Sequence, residues 1–152
     1  MLVALFYISI VIVTFIIMEF VAWCTHKYLM HGFLWSLHKD HHDHTTPPPL
    51  EFNDFFALIF AIPSCIFIVI GITNHWNYQF YIGLGILIYG IAYFFVHEVI
   101  IHQRIKWFTK LNNTYVKGIR RAHKIHHKKL GKENDENFGM LIVSLKYFKE
   151  QV

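Results

Sequence analysis

Charge is scarce in this chain: 16% of its 152 residues are Asp, Glu, Lys or Arg, against 55% hydrophobic and 18% aromatic, and the mean hydropathy is +0.36. That balance excludes an ordinary water-soluble domain and points to an integral membrane protein whose apolar surface faces lipid. Cysteine is nearly missing. The two present, Cys24 and Cys65, lie in or beside apolar runs and form no CxxC, which excludes a disulfide framework or a redox pair. Proline is limited to four residues. Pro47–Pro49 make a stiff extended connector, and Pro63 predicts a kink in a long apolar run.

Three runs are long enough to cross a bilayer, which takes about 20 apolar residues: residues 2–20, 55–73 and 78–96. The first lacks the basic start of a signal peptide and ends at Trp23, an interfacial anchor. Gly83, Gly85 and Gly90 in the third permit close helix approach. Asn53 or Asp54 can cap the second. All 14 Lys and Arg fall in residues 21–54 and after Val96, so those portions are expected on the cytoplasmic side of the inner membrane and the turn at 74–77 outside. A fourth crossing would have to bury some of the many basic residues after His97, at roughly 2.5 to 3.5 kcal/mol each. The expected fold is all-α: one membrane-embedded domain over 1–152, with a cytoplasmic cap from 24–54 and 97–152.

Histidine, unlike charge, is abundant, with twelve residues. His44 and His75 read as interfacial. The other ten form one pattern written twice: His26 and His31, then His38, His41 and His42; His97 and His102, then His123, His126 and His127. At about 100° per helical residue, members of each HxxHH trio share a face, but HxxxxH rotates about 140°. A straight α-helix therefore cannot aim both rings of that pair at one ion. Either the two serve different ions or the helix is distorted or ends, as Gly32 after His31 suggests. Ten crowded imidazoles would repel if protonated near their ordinary pKa of about 6.5. Metal ligation removes that conflict, and imidazole suits Zn, Cu, Fe and Ni. Because one ion takes about four to six ligands, ten histidines imply two ions.

Neighbouring motifs narrow the chemistry. His97-Glu98 opens HExxxH, not the HExxH of a zincin, and no Glu-x-x-His of a ferritin-like di-iron bundle is present. Glu19, seven residues before His26, is read as a carboxylate that orients a ligand histidine, with capping or pairing to Lys27 as the alternative. Asp40, Asp43 and Glu98 carry the orienting reading too, with a solvated or structural role as the alternative. A metal transporter would want polar residues along the spans, and these have almost none. A haem carrier would want histidines facing each other within spans.

Four segments in order, "EFVAWCTHKYLMHGFLWSLHKDHH", "FNDFFALIFA", "YFFVHEVIIHQR" and "RAHKIHHKKLGKENDENFGML", resemble the fatty acid hydroxylase and sterol desaturase superfamily of membrane di-iron oxygenases, and within it the bacterial β-carotene hydroxylases. The resemblance runs from about Glu19 to Leu141 and includes all ten histidines. It implies four membrane crossings where the residues give three, two non-haem iron ions, and O2 as co-substrate. Zinc can replace iron in a purified sample. It further implies hydroxylation of β-ionone rings at carbon 3, giving β-cryptoxanthin and then zeaxanthin, with ferredoxin and its reductase as electron donors. The alternatives are a fatty acyl or sterol substrate, or a non-catalytic membrane metal-binding protein. Phe33, Trp35, Phe94 and Phe95 are candidates for the substrate path. Lys117, Arg120, Arg121, Lys124, Lys128, Lys129 and Lys132 form a basic face for anionic lipid or an acidic electron donor. No nucleic-acid partner is expected.

Overall fold

The computed structural model describes residues 1–43, 51–128, 131–132 and 136–149. His44, the Pro47–Pro49 connector and Lys129 lie outside the described residues. Among the described residues every regular element is helical: α1 (Leu2–Cys24), α2 (Trp35–His42), α3 (Phe56–Thr73), α4 (Tyr78–Phe94) and α5 (Thr114–His127). α1 and α4 run on into wider π-helical segments, Thr25–Phe33 and Phe95–Ile101. Short 3₁₀ turns lie at Phe52–Phe55 and Leu145–Tyr147.

Three continuous helical stretches are long and apolar enough to cross a membrane: Leu2–Phe33, Phe52–Thr73 and Tyr78–Ile101. They contain the three expected spans, and no fourth occurs among the described residues. α5 is instead amphipathic. Val116, Ile119, Ala122 and the three histidines are buried, while Lys117, Lys124 and Lys128 are exposed. Asn113 begins it by accepting a hydrogen bond from the Val116 N–H at 2.8 Å.

α4 packs against both α1 and α3, and its glycines explain how. A Cβ on Gly83 would stand 2.8 Å from the Ser64 carbonyl oxygen of α3, and one on Gly85 2.9 Å from the Val11 carbonyl oxygen of α1. Both positions need hydrogen for the backbones to approach. Gly90 departs from the expectation: nothing lies within 4 Å of the Cβ position there. Pro63 sits inside α3 without ending it. The outer faces are apolar, with Leu5, Ile8, Ile12, Ile16 and Phe20 all exposed, as lipid contact requires. Met18, Ala22, Ile86 and Tyr89 form the buried α1–α4 seam. A second cluster, Ile100, Val116 and Ile119, fixes α5 beneath the end of α4.

Candidate metal centre

All ten patterned histidines gather at one end of the bundle, and His75 lies in the turn at the other. The two HxxxxH pairs fall within the two π-helical segments. Hydrogen bonds there run from residue i+5 to i, such as Leu34 N–H to Leu29 O at 3.0 Å and His102 N–H to His97 O at 2.9 Å. Residues five apart then lie about one turn apart, which cures the 140° mismatch of an α-helix. His26 and His31 can therefore point at one volume, and His97 and His102 at another. Backbone at Gly32 leaves helical geometry (φ −100°, ψ −126°), so the first helix breaks there and lets α2 turn back.

The two HxxHH trios cross over. One set of ligand atoms comes from His26, His31, His38 and His126, the other from His41, His97, His102 and His123, each set lying within 4.8 Å. Helix geometry accounts for the split. Positions i and i+4 differ by about 40°, whereas i+3 lies about 60° to the other side of i. The middle histidine of each trio, His41 or His126, therefore joins the other repeat's set. His42 and His127 stack between the sets at 4.5 Å between ring centroids. His42 lies 4.8 Å from His126, and His127 lies 4.4 Å from His123.

Protonation decides whether these sets fit a cation. The Phe138 carbonyl can only accept, so His26 Nδ1 donates to it at 3.1 Å and Nε2 is a bare lone pair. His38 Nδ1 donates to Asn53 Oδ1 at 2.7 Å. Their Nε2 atoms nonetheless face each other at 3.2 Å. In the other set His41 donates to Glu51 at 2.7 Å and His97 to Glu98 at 2.6 Å, and their Nε2 atoms stand 3.1 Å apart. Two facing lone pairs repel unless a cation lies between them. Two nitrogens bound to one ion at about 2.0 to 2.1 Å stand about 2.9 to 3.4 Å apart, so the spacing fits. The chemistry of the donor set fits as well, because only neutral imidazole coordinates. Burial pushes His38 down to about 2, against the opposing hydrogen bond that it donates to Asn53. Burial first and neighbouring imidazoles second hold His41, His123 and His127 well below the usual histidine range. Burial raises Glu51 to about 7, with Arg104 opposing, so Glu51 accepts as a carboxylate once ionised.

The carboxylates separate. Glu98 bridges His97 and Arg104, with Arg104 Nη1 at 2.8 Å; Arg104 also reaches Asp54 at 3.3 Å. Glu19 reaches backbone amides and a tyrosine hydroxyl. Its Oε1 accepts the backbone N–H groups of Met140, Leu141 and Ile142 at 3.1, 2.9 and 2.9 Å, and its Oε2 accepts the Tyr89 hydroxyl at 2.8 Å. Lys27 lies over the Trp23 ring instead. Asp40 likewise serves backbone, accepting the Phe52 N–H at 2.6 Å. Asp54 accepts the Glu51 N–H at 2.9 Å, while Asn53 is diverted to His38. Sequence reading missed Glu51, Arg104 and Phe138 as partners of the site, because only the folded chain brings them against His41, Glu98 and His26.

A groove of about 1090 Å³ opens between α3 and α4 and reaches the second set. Phe60, Ser64 and Ile68 line one wall, Ile86, Gly90 and Phe94 the other, and Asp54, His97, Glu98 and Arg104 the inner end. From Phe56 to Ile68 it follows α3 for about 18 Å of helical rise. Of the four aromatic residues proposed for a substrate path, Phe94 alone borders it among the described residues. Trp35 packs on the histidine rings, 5.1 Å from His31. Phe33 is 75% exposed, and Phe95 packs on Phe108 at 5.7 Å; neither borders the groove.

The family described as Fatty acid hydroxylase matches residues 11–148. The chain belongs to that family. Among curated proteins, the β-carotene hydroxylase of Pantoea ananas is 41% identical over 132 residues, covering 87% of this chain and 74% of that protein. Those of Pseudescherichia vulneris and Paracoccus sp. (strain PC1) are 39% and 34% identical, covering 87% of this chain and 74% and 81% of theirs. No solved structure matches. As a fatty acid hydroxylase family member, the chain carries both histidine repeats, the groove and all three spans within or overlapping the matched residues.

Proposed function

We propose that this chain is a β-carotene 3-hydroxylase of the inner membrane, converting β-carotene to β-cryptoxanthin and zeaxanthin. One observation carries the reading: a long apolar groove between α3 and α4 ends at His97, whose Nε2 faces that of His41 at 3.1 Å. When bound by the ten histidines, a pair of iron ions supplies activation of O2 and oxidation of an unactivated C–H bond. One oxygen atom enters that bond and the other leaves as water with two electrons and two protons.

The chain's own residues supply the setting. Phe138 O, Asn53, Glu51 and Glu98 hold the Nδ1 protons of four ligand rings, fixing tautomer and aim. The groove walls take an apolar polyene from the bilayer and exclude water from the reacting carbon. Glu98 and Arg104 close its inner end with a salt bridge beside His97. The distribution of Lys and Arg supports a cytoplasmic site, where ferredoxin and its reductase would deliver the electrons. Arg120 and Arg121 donate to backbone carbonyls of Ile100 and Lys149, each at 2.8 Å, so Lys117, Lys124 and Lys128 are the better candidates for a docking face.

Expression in bacteria that accumulate β-carotene tests this directly. β-Cryptoxanthin and zeaxanthin are expected in the extract. Unchanged pigment, with the chain confirmed in the membrane, would overturn the carotenoid reading and favour a fatty acyl substrate, as the family description suggests, or a sterol.

A further inference from the structure

We propose that Glu19 is a positioning residue for the first metal set, acting through the backbone of residues 138–142. This rests on the metal reading above. Glu19 lies in α1 seven residues before His26, about 10 Å away by helical rise. Residues 138–142 link these two side chains of α1. At one end, Glu19 Oε1 gathers three consecutive backbone N–H groups, those of Met140, Leu141 and Ile142, within 3.1 Å. At the other, the Phe138 carbonyl accepts from His26 Nδ1 at 3.1 Å. The Phe138 ring closes over the same set, 5.2 Å from His31 and 5.7 Å from His126.

The strap has no slack. Between its two anchors stands Gly139, where a Cβ would lie 2.3 Å from the Ile142 carbonyl oxygen, so the turn admits no side chain. Tyr89 holds the other carboxylate oxygen at 2.8 Å, and Tyr115 of α5 donates to Leu141 O at 2.8 Å. Three successive amides converging on one oxygen form an anion-binding nest, and a charged acceptor holds them more firmly than a neutral one. Loss of the charge frees the strap, and with it the carbonyl that fixes the tautomer of His26. The second set has its own Nδ1 partners, Glu51 and Glu98, which the strap does not touch.

The test is a zinc titration of the metal-stripped full chain in nanodiscs against a competing chelator. Wild type is expected to take up two equivalents. In Glu19→Gln, affinity for one equivalent should fall about 10- to 100-fold, the usual effect of losing a partner that orients a ligand, while the other holds. Glu19→Gln added to His26→Ala should cost nothing further, because both act on one contact. Retention of both equivalents at wild-type affinity would overturn the proposal, as would loss of both together with thermal stability. If Glu19→Gln does not accumulate, Tyr89→Phe keeps the carboxylate but removes its hydroxyl partner. A smaller loss on the same equivalent is then expected, and unchanged affinity for both would overturn the idea. A wild-type chain that takes up no zinc would instead sink the metal reading itself.

Discussion

The Nε2 atoms of His41 and His97 stand 3.1 Å apart although 56 residues separate them in the chain, and the far nitrogen of each ring faces a carboxylate, Glu51 or Glu98. Two histidines so braced offer two lone pairs to one point. The Nε2 atoms of His26 and His38, 3.2 Å apart, make a second such point.

The crossover of His41 and His126 predicts which losses overlap. Alone, His126→Ala should lower bound metal from two ions to about one per chain and abolish product, whereas His75→Ala should change neither. Combined with His26→Ala, it should remove no further ion; combined with its helix neighbour His123→Ala, it should empty both sets. Elemental analysis of purified protein reads the count. A finding that His123 and His126 share one ion would contradict the assignment.

Acid should destabilise the metal-free protein. Burial keeps His38, His41, His123 and His127 neutral in the folded state, far below the usual range, while the unfolded chain takes up protons near pH 6.5. Below that pH the unfolded state binds more protons, so stability falls as pH falls, by up to about 1.4 kcal/mol per pH unit for each such group. Above it these groups contribute no slope. Thermal unfolding of chelator-treated protein between pH 8 and 5 measures the effect, and a midpoint that rises on acidification would refute it.

Gly83 and Gly90 should respond oppositely to bulk. Gly83→Ala forces the added carbon to 2.8 Å from the backbone of α3 and should cost about 1 to 3 kcal/mol, seen as a lower unfolding temperature. Gly90→Ala has open space and should be near neutral for stability. Gly90→Phe should fill the groove and cut carotenoid turnover at least tenfold while leaving metal content intact. Full turnover by that variant would show that substrate enters elsewhere.

The basic face of α5 predicts salt-sensitive electron delivery. Lys117, Lys124 and Lys128 are exposed and point away from the histidines. Neutralising all three to Gln should slow turnover with ferredoxin several-fold and flatten its dependence on ionic strength, because charge on such a rim governs encounter more than affinity. Turnover driven by a small chemical reductant should stay unchanged.

Much of this was legible along the chain because hydropathy, charge and histidine spacing are local properties. Composition alone determined a membrane protein; the long apolar runs located α1, α3 and α4; the doubled HxxxxH and HxxHH pattern named the ten ligand candidates. Only tertiary structure decided how they divide. The partition turns on two π-helical segments, whose i+5 hydrogen bonds a 3.6-residue periodicity does not announce, and on α2 and α5 each lending a middle histidine across the junction. It also decided that Glu19 grips the backbone of Met140–Ile142 and that Gly90 faces open space while Gly83 and Gly85 touch neighbouring helices. Such facts depend on what the rest of the chain brings alongside, since a carboxylate or a missing side chain has no meaning until its partner, or the gap, is in place.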